Sequence, residues 1–139
     1  MGQQEVRFEL DFAVSPERLW EALSDHAAMG RWTGATVRLI ARGDAHGVGA
    51  VRRVRIGQLA VDEEVIYADA PRRMVYRIVR GAPVSFHRGE ILIDETPTGS
   101  HLSWHIRFVA PPVFGGLMAR SLGAGLGRGL RELRGLIGG

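Results

Sequence analysis

Apolar and charged side chains alternate without interruption at the start of the chain. In residues 5–14 every even position is apolar, and the odd positions from 5 to 11 carry a charge. Successive side chains of a strand point to opposite faces, so a period of two predicts a strand that buries one face and exposes the other.

Helix-start signals follow this strand. Ser15 is a good N-cap residue, and Pro16 fits the first helical position because its missing N–H would be unpaired there in any case. A narrow apolar stripe comes next, formed by Leu19, Trp20 and Leu23. The segment predicts a short helix, and a second short helix or turn is expected from Asp25 to Trp32.

Residues 35–108 carry the pattern of an antiparallel meander. Six runs that alternate apolar and charged residues are separated by short segments rich in Gly, Pro, Asp and Thr. Each of these segments is too short for a helix, and parallel strands need long crossover connections. Neighbouring strands are therefore expected to pair antiparallel.

The C-terminal segment changes to a helical period. From residue 113 onward, apolar side chains recur every three or four positions, and arginines fall on the opposite side. Seven glycines lie between Gly115 and Gly135, and each interior glycine costs about 1 kcal/mol relative to alanine, so packing must hold this helix. Gly125 and Gly129 fall on or beside the apolar stripe, where a missing side chain either admits the sheet or leaves space.

The order of elements is one strand, two short helices, six strands and a long helix. The apolar face of the sheet must be covered, and only the last helix is long enough to cover it. The expected fold is therefore α+β. One domain over residues 1–139 would hold a seven-stranded antiparallel sheet packed against the C-terminal helix.

Four segments resemble a known fold family: VSPERLWEALSDHAAMGRWTG, GVGAVRRVRI, EEVIYADAPRRMVYRIV and HRGEILIDETPTGSHLSWHIRF. In this order they resemble the SRPBCC superfamily, which has the START-like or helix-grip fold. Within it, the chain is most similar to the polyketide cyclase/dehydrase and lipid-transport-like bacterial proteins. The resemblance implies a curved seven-stranded sheet wrapped around the last helix, with an apolar cavity between them. Members bind lipids, sterols, polyketides or other hydrophobic molecules, and some are enzymes.

Composition limits the chemistry. The chain has no cysteine, and all 18 of its basic residues are arginine, which excludes thiolate, Schiff-base and P-loop chemistry. The net charge is only +3, so we expect no nucleic-acid partner. The opening residues lack a signal-peptide pattern, and no apolar run approaches the ~20 residues of a membrane span. We expect a cytoplasmic monomer or homodimer without stable membrane insertion.

Two motifs suggest a metal site and a cofactor site, but neither has the geometry that such a site requires. His101 and His105 would lie roughly 13 Å apart on a strand, too far to share one ion, and their alternation with apolar residues predicts that they face water. The glycines of residues 47–52 lead into a strand rather than a helix, so they lack the helix N-terminus that binds a dinucleotide. We expect neither a metal nor a cofactor.

The candidate acid–base residues are His87 and Glu64. Glu63 and Glu64 point to opposite faces of a strand, so at most one of them looks inward; otherwise the two form a solvated pair beside arginines of the neighbouring strand. His87 is separated from Ile91 and Ile93 by an even number of positions, so the three side chains are expected on the same face of the strand, toward the sheet interior. The opposite register would instead bury Arg88 and Glu90. An inward His87 is either a structural or a catalytic residue.

Aromatic and apolar side chains supply a candidate lining for a small-molecule pocket. The set consists of Trp32, Tyr67, Tyr76, His87, Trp104, Phe108, Met118, Leu122 and Leu126. Each of these residues taken alone is typical of a hydrophobic core, but Tyr and Trp side chains can also bind the polar group of a ligand within an apolar pocket.

Three functional hypotheses remain open. With the resemblance, this lining favours binding of a hydrophobic or aromatic molecule that is lipid-, polyketide- or isoprenoid-like. A polyketide cyclase, aromatase or dehydratase is the first alternative, and a protein–protein module of the chaperone-activator kind is the second. The sequence leaves open whether a reaction is catalysed.

Overall fold

The computed structural model describes residues 2–56 and 58–138, apart from the side chain of residue 56. Its strands are β1 (Gly2–Phe12), β2 (Thr36–Ala41), β3 (Val51–Ile56), β4 (Leu59–Asp69), β5 (Arg73–Arg80), β6 (Ser85–Thr96) and β7 (Gly99–Ala110). Its helices are α1 (Pro16–Ser24), α2 (Met29–Thr33) and α3 (Pro112–Ile137), and a 3-10 turn at His26–Ala28 precedes α2. The predicted order of elements is confirmed.

The strands form one seven-stranded antiparallel sheet in the order β1-β7-β6-β5-β4-β3-β2. The first two strands therefore stand at opposite edges, and the segment that holds α1 and α2 crosses from one edge to the other. The sheet is open and curved, and α3 packs chiefly on β1 and α2. This arrangement confirms the predicted helix-grip architecture.

The alternation at the start of the chain becomes the two faces of β1. Val6 and Phe12 are buried on the inner face, while the charged positions between them face outward. Ser15 then caps α1, since its hydroxyl accepts a hydrogen bond from the Arg18 backbone N–H at 3.2 Å. Leu19 is fully buried, so the narrow apolar stripe of α1 anchors this short helix on the core.

The glycines of α3 serve two purposes. A Cβ atom at Gly127 would lie 2.9 Å from the Phe8 ring, and one at Gly129 would lie 2.9 Å from the Trp32 carbonyl oxygen. Only glycine permits these close approaches to β1 and α2. At Gly125, by contrast, no described atom lies within 4 Å of such a Cβ, so this position leaves space.

The apolar stripe of α3 is covered unevenly. Leu130 and Leu133 near its C-terminal end are buried, whereas Met118, Leu122 and Leu126 remain half-buried against the core. Residues 118–126 of the helix therefore cover the sheet less completely than residues 130–133. Within the two described ranges, no helix is long and apolar enough to cross a membrane.

Candidate functional site

Arg52 and Glu63 form a buried ion pair on the inner face of the sheet. The two residues are directly opposite each other in the β3–β4 ladder, and Arg52 Nε donates to Glu63 Oε1 at 2.8 Å. Their side chains are only 3% and 15% exposed. Removing two charges from water carries a desolvation penalty that an apolar pair would avoid. The burial of this pair therefore costs desolvation free energy on a face that is otherwise mainly apolar.

Arg52 also joins the sheet to the helical segment that follows β1. Its Nη1 donates to Met29 Sδ at 3.0 Å and lies 3.5 Å from His26 Nδ1. The guanidinium carbon lies 5.3 Å from the centroid of the Tyr76 ring, within the range of a cation–π contact. Burial, helped by the Arg52 charge, lowers the pKa of His26, which favours the neutral imidazole.

Tyr76 occupies the centre of the inner face. Its hydroxyl oxygen accepts a hydrogen bond from Trp104 Nε1 at 3.0 Å, so its own O–H proton remains free to be donated. Burial raises the pKa of Tyr76, and the negative charge of Glu63 raises it further. The phenol therefore stays protonated over the physiological range.

His87 faces inward, as its register with Ile91 and Ile93 predicts. Its Nδ1 accepts a hydrogen bond from the Ile78 backbone N–H at 3.0 Å, which places the proton of the neutral ring on Nε2. The ring stacks on Phe108 with centroids 6.5 Å apart and tilts against Tyr76 at 5.7 Å. Burial lowers the pKa of His87, although the nearby Glu63 opposes this effect.

Trp32 contributes a buried donor with no partner. Its indole packs edge-on against Trp104 with ring centroids 6.4 Å apart, and its Nε1 forms no hydrogen bond with any described residue. The Cε3 atom of the ring would lie 3.3 Å from a Cβ at Gly129, so this side of the indole packs on α3. An unpaired buried N–H costs about 1–3 kcal/mol, which a hydrogen-bond acceptor would recover.

The structure corrects the placement of Glu64. The inward member of the glutamate pair is Glu63, whereas Glu64 lies on the outer face and accepts a hydrogen bond from Arg77 Nη2 at 2.9 Å. The prediction that the two carboxylates point to opposite faces holds, but Glu64 is the wrong choice as the acid–base candidate.

Tyr67 is also misplaced by the sequence prediction, because a β-bulge reverses the alternation. The register of β4 against β5 shifts between Val65 and Tyr67, so Val65 faces inward while Tyr67, two positions later, faces outward. Tyr67 is exposed there, and the Arg73 guanidinium lies 5.0 Å from its ring centroid. It does not line the inner face.

The remaining candidates do gather on the inner side. Trp32, Tyr76, Trp104 and Phe108 are buried, and His87 is half-buried among them. The α3 candidates Met118, Leu122 and Leu126 pack against the same core cluster. Whether these residues bind a ligand stays a prediction, but the structure brings them to one face.

The sequence reading missed Arg52 as a member of this group and left Glu63 unassigned. A signal was present, since Arg52 has the same parity as Val54, and Glu63 has the same parity as Val61 and Val65. A charge in phase with apolar neighbours on each of two adjacent strands predicts an inward ion pair.

His101 and His105 lie on the outer face, as predicted. His101 Nδ1 is 2.6 Å from Asp11 Oδ1, and its Nε2 is 3.1 Å from Glu9 Oε1. Hydrogen bonds to these two carboxylates, first Asp11 and then Glu9, raise the pKa of His101. The histidine therefore belongs to a charged network on the outer surface.

Two surface clefts flank the sheet. One, of about 290 Å³, is lined by Gln3, Phe86, Arg88, Arg107, Phe108 and Val109. The other, of about 410 Å³, is lined by Pro16, Glu17, Ala70, Pro71, Arg72, Ile93, Asp94 and Glu95. Neither is an enclosed void between the sheet and α3. Phe108 belongs both to the lining of the first cleft and to the inner cluster, where its ring stacks on His87.

Solved structures share this fold. A START superfamily protein from Mycobacterium smegmatis aligns with a TM-score of 0.76 at 18% identity, over 98% of this chain and 97% of its own. A protein of unknown function from Staphylococcus aureus aligns with a TM-score of 0.76 at 12% identity, over 98% and 94%. A Thermobifida fusca protein solved by NMR aligns with a TM-score of 0.71 at 24% identity, over 96% and 93%. At these identities the likeness concerns the fold alone.

The family model described as polyketide cyclase/dehydrase and lipid transport matches residues 3–138, almost the whole chain. Among curated proteins, none matches the chain. The match agrees with the helix-grip architecture and confirms the resemblance that the four sequence segments indicate. The chain belongs to the polyketide cyclase/dehydrase and lipid transport family.

Proposed function

We propose that the chain binds a hydrophobic or aromatic small molecule on the inner face of the sheet, beside Arg52, Glu63, Tyr76 and His87. The family description supports a ligand of this class. The observation that carries the proposal is the buried indole N–H of Trp32, which no described residue satisfies, within a cluster of aromatic rings. Such a group is costly in a core and useful in a binding site.

The inner cluster offers more hydrogen-bond donors than acceptors. Among the described residues, no acceptor is found for the Tyr76 O–H, the His87 Nε2–H or the Trp32 Nε1–H, whereas Glu63 Oε1 is already engaged by Arg52. The polar group of the ligand is therefore an acceptor, such as a carbonyl or carboxylate oxygen, rather than an amine. Apolar burial at about 25 cal/mol per Å² supplies most of the affinity, and the donors fix the orientation.

In this proposal the ligand lies under residues 118–126 of α3. Met118, Leu122 and Leu126 are only half-buried there, and no described atom lies within 4 Å of a Cβ at Gly125. A ligand that inserts between these side chains and the sheet would complete the burial of the stripe. Small rotations of flexible Met and Leu side chains suffice for this adjustment.

A matched pair of probes tests the proposal by titration calorimetry. The two probes, 2-acetylnaphthalene and 2-ethylnaphthalene, have nearly the same shape, but only the ketone accepts a hydrogen bond. We expect both to bind and the ketone to bind roughly three- to tenfold more tightly, which corresponds to one net hydrogen bond.

Two tyrosine variants identify the surface that binds. Tyr76→Phe removes an inner donor and is expected to reduce the preference for the ketone. Tyr67→Phe, on the outer face, makes the same chemical change and is expected to leave both affinities unaltered. Absence of binding by either probe, or an equal effect of the two variants, contradicts the proposal.

One observation favours an acid–base enzyme as the second candidate. Arg52 binds Glu63 and also lies over the Tyr76 ring, which contacts His87, so a carboxylate belongs to the same cluster as two donors that would hydrogen-bond a carbonyl oxygen. In such a reaction Glu63 would remove a proton from the carbon beside the carbonyl, while the donors stabilise the enolate oxygen. Catalysed exchange of the methyl protons of 2-acetylnaphthalene in D₂O, lost in Glu63→Gln with the ketone affinity retained, would establish this activity.

The protein–protein alternative has less support on the outer face. Arg53, Arg73 and Arg77 there each pair with a carboxylate on a neighbouring strand, at 2.6–2.9 Å. These three arginines are therefore neutralised within the sheet, which leaves Arg88 and Arg107 among the outer-face arginines without an ion pair to a described residue.

A further inference from the structure

One end of the sheet concentrates exposed apolar side chains. We call it the Phe86 end and define it by the start of β1, β4 and β6, the end of β5 and β7, and the first turns of α3. The ladder pairs Gly2 with Ala110 and Ser85 with Val109, which brings these strand ends together. The exposed apolar residues at this end are Leu59, Val79, Phe86, Val113, Phe114 and Leu117.

The exposure is greatest at Phe86 and in α3. Phe86 is 87% exposed, Val113 is 79% exposed and Leu117 is 58% exposed. Val113 and Leu117 are four residues apart on the helix, and Phe114 and Leu117 are three apart, so the three side chains lie on one side. They face away from the core that α3 covers farther along. Large side chains clustered in the open usually mark an interaction site.

The backbone at Phe86 adds an independent observation. The register of β6 against β7 shifts between Ser85 and Arg88, so that Phe86 and His87 together oppose Phe108 in a β-bulge. Phe86 adopts φ +54°, the left-handed conformation for which this bulge position normally uses glycine. A bulky aromatic residue here is strained, and an aromatic ring held in solvent by a strained backbone points to function.

Charge at the Phe86 end is positive. Arg80, Arg88, Arg107 and Arg120 lie there, and none of the four forms an ion pair with a described residue. The nearest carboxylates are engaged elsewhere: Glu5 lies near Arg7 and His105, and Asp62 binds Arg53.

At the opposite end of the sheet, the cleft beside α1 is lined by Glu17, Asp94 and Glu95 together with Arg72, which pairs with Asp69. Exposed apolar side chains and four arginines without an ion-pair partner among the described residues therefore coincide at the Phe86 end. Near a negatively charged surface, these arginines would attract that end of the molecule.

We propose that the Phe86 end docks reversibly on the surface of an anionic lipid bilayer. Exposed Phe, Val and Leu side chains enter the interfacial region, and unpaired arginines meet the lipid phosphates. The surface adjoins the candidate site, since Phe108 lines the cleft with Phe86 and stacks on His87. Docking would place that site next to a source of hydrophobic molecules, but the docking itself requires no ligand.

Co-sedimentation with lipid vesicles tests the proposal on the full-length chain. We expect binding to vesicles of phosphatidylcholine and phosphatidylglycerol in equal parts, weak binding to phosphatidylcholine alone, and release at high salt. Absence of binding to the mixed vesicles, or equal binding to both kinds, overturns the proposal. Because no small-molecule probe is present, this outcome is separate from that of the calorimetric test.

Two leucines of α3 provide a matched pair of variants. Leu117→Ser is expected to reduce the bound fraction several-fold, whereas Leu136→Ser, at the other end of the helix and similarly exposed at 55%, is expected to have no effect. Phe86→Gly is expected to reduce vesicle binding. Glycine adopts the left-handed backbone conformation at this position without strain, so a loss of binding would not be explained by unfolding. Equal behaviour of the two leucine variants contradicts docking at this end. Self-association that Leu117→Ser abolishes, without vesicle binding, would assign the surface to a protein interface instead.

Discussion

Tyr76 of β5 lies across Gly89 of β6, its partner in the ladder, and a Cβ atom at position 89 would collide with the phenol ring. The glycine therefore makes the room in which the central aromatic ring of the inner face lies. Because Tyr76 in turn accepts the hydrogen bond from Trp104 and contacts Arg52 and His87, the whole cluster depends on this missing side chain.

Substitution of Gly89 tests this dependence. Gly89→Ala is expected to destabilise the fold by about 1–3 kcal/mol, since an added carbon in a packed interior forces neighbours to move. Urea unfolding followed by tryptophan fluorescence measures the change. Gly116→Ala is the control, because no described atom lies within 4 Å of its Cβ and alanine favours the helix; it is expected to stabilise by up to about 1 kcal/mol. A harmless Gly89→Ala would contradict the packing of Tyr76.

The buried ion pair gives a second prediction. Arg52→Leu leaves the Glu63 charge without its partner and is expected to cost about 3–5 kcal/mol, whereas the double variant with Glu63→Leu is expected to recover much of that loss. On the outer face, Arg77→Leu breaks the more exposed pair with Glu64 and is expected to cost less than about 1 kcal/mol. Unfolding free energies from denaturant titration separate these cases. A double variant as unstable as the single one would show that the contacts of Arg52 with His26 and Met29 dominate.

The outer histidine network gives stability at acid pH. Asp11 and Glu9 raise the pKa of His101 above its unfolded value of about 6.5, so its contribution is complete below that pH and disappears as the pH rises through the folded pKa. His101→Gln is therefore expected to lower the unfolding free energy at about pH 5 and to leave it unchanged at alkaline pH. The loss at acid pH is expected to be less than about 1 kcal/mol, because the site is partly exposed. A pH series of urea titrations checks this sign. An effect confined to alkaline pH would rule out the carboxylate contacts as its cause.

The inner histidine has the opposite pH dependence. Burial lowers the pKa of His87, so the unfolded chain binds a proton more readily than the folded one, and stability falls as the pH drops below about 6.5. His87→Gln removes this titration. The unfolding free energy of His87→Gln is therefore expected to increase relative to that of the wild type as the pH falls. The same series of titrations measures it, and a shift toward the wild type on acidification would contradict a neutral, buried His87.

The strained bulge gives a fifth prediction, on stability alone. Phe86→Gly is expected to raise the unfolding free energy by up to about 1 kcal/mol, since glycine adopts the left-handed conformation without steric cost. Phe86→Ala removes the same ring but keeps a Cβ, and is expected to leave the strain in place. Thermal and denaturant unfolding compare the two. Equal stabilities would mean that the backbone at position 86 is relaxed.

Element order and sheet pairing were accessible from the sequence because each depends on local periodicity and connection length. The uninterrupted alternation of residues 5–14 predicts β1, and the short connections between residues 35 and 108 predict antiparallel neighbours. The same reasoning places His87 inward, because the regular alternation from Arg88 to Ile93 extends back to it although it lies within the bulge between Ser85 and Arg88.

Side-chain direction was less accessible wherever a bulge intervenes. One extra residue in β4 turns Tyr67 outward although Val65 faces inward, and no residue type in that strand marks the position. The Arg52–Glu63 pair was hard to predict for a different reason, because a charged residue is expected at an inward position only when its partner on the next strand is known. The bulge in β4 and this ion pair both depend on how neighbouring strands pair, and the periodicity of a single strand does not reveal that pairing.

The pairing of β1 with β7 has a consequence for biosynthesis. The ladder joins Gly2–Phe12 to Ser100–Ala110, so during synthesis β1 has no strand partner until residues 100–110 have been made. Until then the apolar side of β1 has no permanent neighbour, and the last helix, which packs on it, does not yet exist. The inner face is therefore completed only after these later segments are made, and a chain arrested before residue 100 would leave both edges of β1 unpaired, whereas the finished sheet leaves one.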